Sequence, residues 1–357
     1  MNQQRLARVL RNMERDGLEQ IVVTSTASVY YLTGYWVEPM ERMLALYLRA
    51  DGTCTLFANT LFALEPQEGL ELVLHQDSDE PTAALAAALR PGRLGVDKAW
   101  PSKFLIALLN ARPDVTPVLG SAPVDDARKY KDADEIAAMR HASRINDQVV
   151  EQVIAAVKEG AVESELAAYV ESLYRQHGAD RSSEGQLVCF GPNGADPHHG
   201  PNDTVLKDGD SVVLDIFIPI RRYWCDMTRT VFFRSVSDEG RRVYETVRAA
   251  NLAAEAMIRP GVPMKDIDRA ARKVIEDAGY GPYFTHRLGH GCGLDCHEPP
   301  DNSASSPAVA EPGMVFSVEP GIYLPGKLGV RIEDLVLVTE DGCEVLNHAS
   351  KELRVVE

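Results

Sequence analysis

The stretch VVLDIFIPIRRYWCDMTRTVFF, residues 212–233, sets β-branched and aromatic residues around two aspartates, Asp215 and Asp226. It reads as strand, connection, strand. An antiparallel pair can bring residues from its two ends to one face, so the two acids are expected to meet. A later stretch, VFSVEPGIYLPGKLGVRIEDLVLV (315–338), repeats the arrangement with Glu319 and Glu333. Each acid interrupts or borders a run that should be buried. One buried ionised carboxylate is costly, and four together are untenable without cations. Two divalent metal ions would remove that cost.

Farther out, the flanking segments repeat as well. KEGAVESEL (158–166) matches RPGVPMKDI (259–267) at a shift of 101, and Gly178 matches Gly279 at the same shift. LKDGDSVVLD (206–215) matches AEPGMVFSVE (310–319) at a shift of 104. Each half reads as helix, turn, helix and glycine-entered strand, which predicts two α+β halves related by a pseudo-twofold. A long helix over 134–158 precedes them, with Met139, Val149 and Val153 at helical spacing. Residues 1–123 alternate helix and strand. They hold the buried-strand run IVVTS (21–25), a hairpin from LALYL (44–48) and TCTLFA (53–58), and a further strand RLGVD (93–97). The expected organisation is an α/β domain over 1–123, a charged linker over 124–133 and a second domain over 134–357.

The composition is 45% hydrophobic and 25% charged, an ordinary globular balance. A formal net charge of −16 argues against nucleic acid or an anionic membrane surface as partner. The opening MNQQRLARVLRNMERDG lacks the apolar core of a signal peptide, and no apolar run approaches transmembrane length. Six scattered cysteines fit free thiols in a reducing compartment, so a cytoplasmic protein is expected.

The stretch HRLGHGCGLDCHE (286–298) concentrates His286, His290 and His297 with Cys292 and Cys296. The cysteines are four apart rather than in a C-x-x-C knuckle, which weighs against a structural zinc knot. Four carboxylates plus one imidazole suit a dinuclear centre of Mn²⁺, Co²⁺, Fe²⁺ or Zn²⁺. His290, flanked by Gly289 and Gly291, is the natural fifth ligand, with the glycines expected to let the backbone approach the metals.

Asp215, Asp226, His290, Glu319 and Glu333, in this order and spacing, resemble the ligand set of the pita-bread metallopeptidases. That group comprises the methionine aminopeptidases, aminopeptidase P and prolidase. The pieces G-H-G, H-E, S-V-E-P-G and G-V-R-I-E-D carry the resemblance, with PHH (197–199) upstream. STASVYYLTGY (25–35) resembles the start of a creatinase/prolidase-type N-terminal domain. The resemblance implies an α/β N-terminal domain followed by an α+β pita-bread domain, and favours the prolidase and aminopeptidase P branch.

It further implies two divalent ions, manganese favoured, and hydrolysis of Xaa-Pro bonds by a metal-bridging hydroxide. Glu319 would be both ligand and proton shuttle, and His198 and His297 would steady the oxyanion and the carbonyl. His286 would contact substrate. Arg331 would orient Glu333 or hold the substrate carboxylate. A one-residue slip would exchange His198 with His199. A small peptide with proline second is the implied substrate, and a homodimer the implied assembly.

One position departs from the family pattern. Prolidases commonly carry a basic residue shortly after H-E-x-P, where it can bind a dipeptide's free carboxylate; here that position is Asp301. Longer Xaa-Pro peptides therefore stay open as substrates. So do other chemistries on the same fold: creatinase-like amidinohydrolases, ectoine-type amide hydrolases and sulfonium lyases. A non-enzymatic binding protein that kept the fold is a third reading, disfavoured by the intact ligand set.

Overall fold

The computed structural model describes residues 1–180 and 185–357, and the chain divides into two units, Met1–Arg128 and Lys129–Glu357. The first unit opens with helix α1 (Gln3–Arg15), which buries Leu6, Val9 and Met13 on one face and is capped by the Asn2 side chain. There follow β1 (Gln20–Val23), α2 (Thr26–Thr33), β2 (Ala45–Arg49), β3 (Cys54–Asn59), β4 (Glu71–His75), α3 (Pro81–Ala88), β5 (Gly92–Val96), α4 (Ser102–Ala111), β6 (Val115–Leu119) and α5 (Ala122–Arg128). Among the described residues these strands form one sheet in the order β4-β3-β2-β1-β5-β6. β2 and β3 pair as the expected antiparallel hairpin, while β1–β5 and β5–β6 are parallel.

The segment 124–133, expected as a linker, is a connection only in its second part. Residues 124–128 belong to α5, which buries Pro123, Val124, Ala127 and Arg128. The polar composition had hidden an apolar face one turn long.

The second unit begins with α6 (Ala133–Ala156), started by a capping box of Asp132 and Glu135 and burying Met139, Val149 and Val153. α7 (Glu163–Gln176), β7 (Leu187–Phe190), β8 (Ser211–Ile220) and β9 (Tyr223–Phe233) complete its first half. The second half runs through α8 (Asp238–Met257), α9 (Met264–Asp277), β10 (Gly289–Gly291), β11 (Glu298–Asn302), β12 (Val315–Val318), β13 (Gly321–Leu324), β14 (Leu328–Arg331), β15 (Asp334–Val338) and β16 (Cys343–Val345). A terminal strand, β17 (Val355–Val356), returns to pair with β9. Among the described residues the larger sheets are β17-β9-β8-β7 and β11-β10-β12-β15-β16.

The internal repeat is visible in the backbone hydrogen bonds. Leu206 N–H donates to Ala161 O, and Ala310 N–H donates to Val262 O. Glu163 N–H to Thr204 O and Met264 N–H to Ala308 O repeat the match at the same shifts of 101 and 104. Gly209 and Gly313 share a left-handed backbone, φ 89° and 87°. Only glycine enters that region without strain, so the turn residues recur while their neighbours drift.

β8 and β9 are joined through Arg221 and Arg222, both at positive φ, as a tight twisted hairpin needs. Their register pairs Asp215 with Thr228 and Phe217 with Asp226, so the two aspartates are diagonal neighbours on one face. The second acidic stretch is more elaborate than strand, connection, strand. It holds four strands, because the hairpin β13–β14 is inserted between β12 and β15. The turn at Gly326 (φ 72°) closes that inserted hairpin. No helix among the described residues is long and apolar enough to cross a membrane.

Candidate metal centre

Asp215 projects from β8, Asp226 from β9 and His290 from β10. Glu319 follows β12 and Glu333 precedes β15; because Val318 pairs with Asp334, the two glutamates stand opposite each other where these strands part. All five, with His198, His286, His297 and Arg331, line a cavity of about 740 Å³ in the second unit. One potential ligand atom from each of Asp226, His290 and Glu333 lies within 4.8 Å of the others. His290 Nε2 is 3.8 Å from Asp226 Oδ2 and 3.3 Å from Glu319 Oε1. Asp215 reaches the group through Arg331, whose Nη2 donates to Asp215 Oδ2 at 2.7 Å.

The electrostatics show acids lacking enough counter-charge. Burial, then the charges of Asp215 and Glu319, hold the Asp226 carboxyl well above the usual range. Glu333 is raised in the same way by burial and then by Asp226 and Glu319. Burial pushes Glu319 up to about 7. Burial also lowers His290 to about 3, so its imidazole is neutral and able to coordinate. Among the described residues Asp215 Oδ1 is buried with no hydrogen-bond partner. Hard oxygen donors, a neutral imidazole and an orphaned carboxylate oxygen fit divalent cations, which would compensate all of them together.

The flanking glycines serve a different purpose from the one expected. A Cβ on Gly289 would sit 2.0 Å from Ser317 O, and one on Gly291 would sit 2.4 Å from Pro299 C. Glycine here lets β10 pass between β11 and β12; the constraint is strand packing.

His198 lines the cavity, whereas His199 turns away, its Nε2 3.0 Å from the buried Glu163 carboxylate. His286 lines the cavity with both ring nitrogens engaged. Nδ1 lies 2.7 Å from Arg287 O, which can only accept, so Nε2 accepts from the Tyr323 hydroxyl at 2.8 Å. Substrate contact through His286 is thereby limited to its ring face and edge. Arg331 likewise departs from expectation. It contacts Asp215 rather than Glu333; its Nε donates to Thr228 Oγ1 at 3.0 Å, and its Nη1 to Tyr323 Oη at 2.8 Å and to Pro197 O at 3.5 Å. A buried guanidinium with Nε, Nη1 and Nη2 each engaged positions Asp215 and has no fork left for a substrate carboxylate. Cys292 donates to Trp224 O, and Cys296 donates to Asp226 Oδ2 at 3.4 Å; all six cysteines are free.

Three supporting residues went unnoticed in the sequence. Thr228 donates to Glu333 Oε2 at 2.7 Å, and Ser317 donates to Glu319 Oε1 at 3.0 Å. Each lies two positions from an acid on its own strand or strand end, and period-two alternation could have found them. Tyr323 sits on the inserted hairpin, and no motif marks it.

Comparison with known proteins agrees with this geometry. The family model described as metallopeptidase family M24 matches residues 137–340, and that of the creatinase/prolidase N-terminal domain matches 5–130. An uncharacterized peptidase of Staphylococcus aureus (strain USA300) is 36% identical over 357 residues, covering 97% of this chain and 99% of its own. The crystal structure of a prolidase from Thermococcus sibiricus superposes with a TM-score of 0.94 at 35% identity, covering 100% of this chain and 99% of that one. The dipeptidase PepE from Mycobacterium ulcerans gives 0.91 at 36% identity, over 99% and 97% of the two chains. With a matched catalytic-domain model, a matched N-terminal model and full-length relatives, the chain belongs to metallopeptidase family M24, as an enzyme that places a creatinase/prolidase-type domain ahead of its pita-bread domain.

Proposed function

We propose that this enzyme hydrolyses Xaa-Pro peptide bonds, releasing the N-terminal residue, with two divalent ions held by Asp215, Asp226, His290, Glu319 and Glu333. The observation that carries the reading is the convergence of these five side chains, from two sheets, at one cavity with more carboxylate charge than Arg331 balances. Full-length similarity to a prolidase and to an Xaa-Pro dipeptidase from Bacillus anthracis supports the bond type. Bound there, the ions would polarise the scissile carbonyl and acidify the attacking water.

The protein's own groups do the rest. Glu319 takes the proton of the attacking water and delivers it to the proline nitrogen as the C–N bond breaks. Ser317 fixes Glu319 through Oε1. His297, kept neutral by burial and packed with its ring tilted against His290, 3.9 Å between centroids, donates to the developing oxyanion together with His198. Arg331 holds Asp215 in register, and Tyr323 links Arg331 to His286. An oxygen-rich donor set suits Mn²⁺, and a cytoplasmic homodimer is the form we take to act.

The test is amino-acid release from Leu-Pro and from Leu-Pro-Xaa tripeptides by Mn²⁺-loaded and metal-stripped protein. Metal-dependent release from either supports the reading. Bound metal with no release from either sinks it and points to amide hydrolysis or lyase chemistry on the same fold.

A further inference from the structure

With the two divalent ions committed to its own acids, the cavity offers a substrate carboxylate few free cations. It is lined by Asp215, Asp226, Glu319 and Glu333, and the chain as a whole carries −16. An Xaa-Pro dipeptide nevertheless ends in a carboxylate one residue beyond the scissile bond. Holding it there needs a cation with free donors.

Among the described residues two arginines line the cavity, and they differ in kind. Arg331 is buried with its donors engaged by Asp215, Tyr323 and Thr228. Arg287 keeps 41% of its side chain exposed, and its guanidinium has one hydrogen-bonding partner among the described residues, Asp301, through Nη1 at 2.9 Å. Its Nε and Nη2 remain available. Asp301 is itself held by the Ser303 hydroxyl on its other oxygen. Arg287 also borders a side recess of about 240 Å³, shared with His297, Glu298, Pro299 and Asp301, that adjoins the main cavity.

We infer that Arg287 is the specificity-determining cation that takes the free carboxylate of an Xaa-Pro dipeptide in this recess, with Asp301 and Ser303 positioning its guanidinium. This rests on the Xaa-Pro reading above and adds to it a preference for dipeptides over longer peptides. Asp301, instead of abolishing carboxylate binding, aims the arginine that performs it. The charge comes from the loop ahead of β10 and its aiming carboxylate from β11, so the pair is made only by the register of those strands.

Arg287→Gln and Arg287→Lys would be assayed on Leu-Pro and on Leu-Pro amide, which lacks the carboxylate. In Arg287→Gln the ratio of kcat/KM for Leu-Pro over the amide falls about 10- to 100-fold, chiefly through KM for Leu-Pro. Arg287→Lys restores part of the ratio. A ratio within about twofold of wild type, or an equal loss on both substrates, overturns the assignment. A calorimetric titration with L-proline and L-prolinamide separates this from the bond specificity. If the wild-type enzyme cleaves no Xaa-Pro peptide, the peptidase reading falls, and an Arg287-dependent preference for proline over prolinamide still upholds the anchor. Equal binding of the two by wild type and Arg287→Gln sinks it.

Discussion

Glu333 and Asp334 are adjacent in the chain, both buried, and in opposite electrostatic surroundings. Asp334 faces Arg229 Nη2 and Lys351 Nζ, each at 2.7 Å. Burial alone would raise its carboxyl, but the two cations outweigh burial and hold it below the usual range. Glu333 faces Asp226 and Glu319, and burial with those charges raises it far above that range. Strand alternation sends neighbours to opposite faces, so one residue's spacing separates two regimes. On one face the protein provides its own counter-cations; on the other it leaves carboxylates for cations from solution. A buried acid thus announces a metal when the Arg and Lys around it, here Arg331 alone among four carboxylates, are too few to balance the charge.

The largest expected effect tests the uncompensated face. His290→Ala or Asp226→Asn removes bound metal, measured by elemental analysis, and lowers turnover at least about 1,000-fold, equivalent to roughly 4 kcal/mol. Full metal content in either variant would break the comparison at its first step.

Asp334→Asn probes the other face. It strands the buried Arg229 and Lys351 charges and should lower the unfolding free energy in urea by about 3 kcal/mol or more, with metal content retained. Loss of metal as complete as in His290→Ala would show that the two faces are not separate.

The next effect concerns pH. Glu319 is raised from its ordinary 4.5 to about 7, so between those values the metal-free folded state binds more protons than the unfolded chain. On this group's account stability of the metal-stripped protein falls as pH rises through that window, by on the order of 3 kcal/mol at most, while His290, held neutral by burial, contributes the opposite slope below its ordinary 6.5. Asp226 and Glu333 push in the same direction as Glu319. Saturating divalent ion should abolish the slope; denaturation curves across the window, with and without metal, check it.

Thr228→Val is the mildest change. It removes the donor to Glu333 Oε2 and should weaken metal binding about 10- to 100-fold without the stability loss of Asp334→Asn. Unchanged affinity would mean that β15 alone holds Glu333.

Much of this is legible in the sequence. The hairpin at 212–233 and its diagonal aspartates follow from period-two patterning and a short turn. The repeat was readable because positive-φ glycines such as Gly209 and Gly313 cannot drift. The segment 124–133 was misjudged because a helix as short as α5 carries too few apolar positions to stand out among charges. The hairpin β13–β14 was missed because its strands are four residues each, below the length at which alternation is visible.

The sequence by itself determined which residues form the acid and imidazole set, because each sits in a contiguous motif whose local pattern makes it buried and polar at once. Only the tertiary structure decided what those residues touch. Arg331 was assigned to Asp215, Asp301 to Arg287, and the glycines beside His290 to strand packing. Those pairings join side chains and backbone on different strands or the loops beside them. Distances between side chains from different strands depend on register and sheet order, which no local pattern encodes.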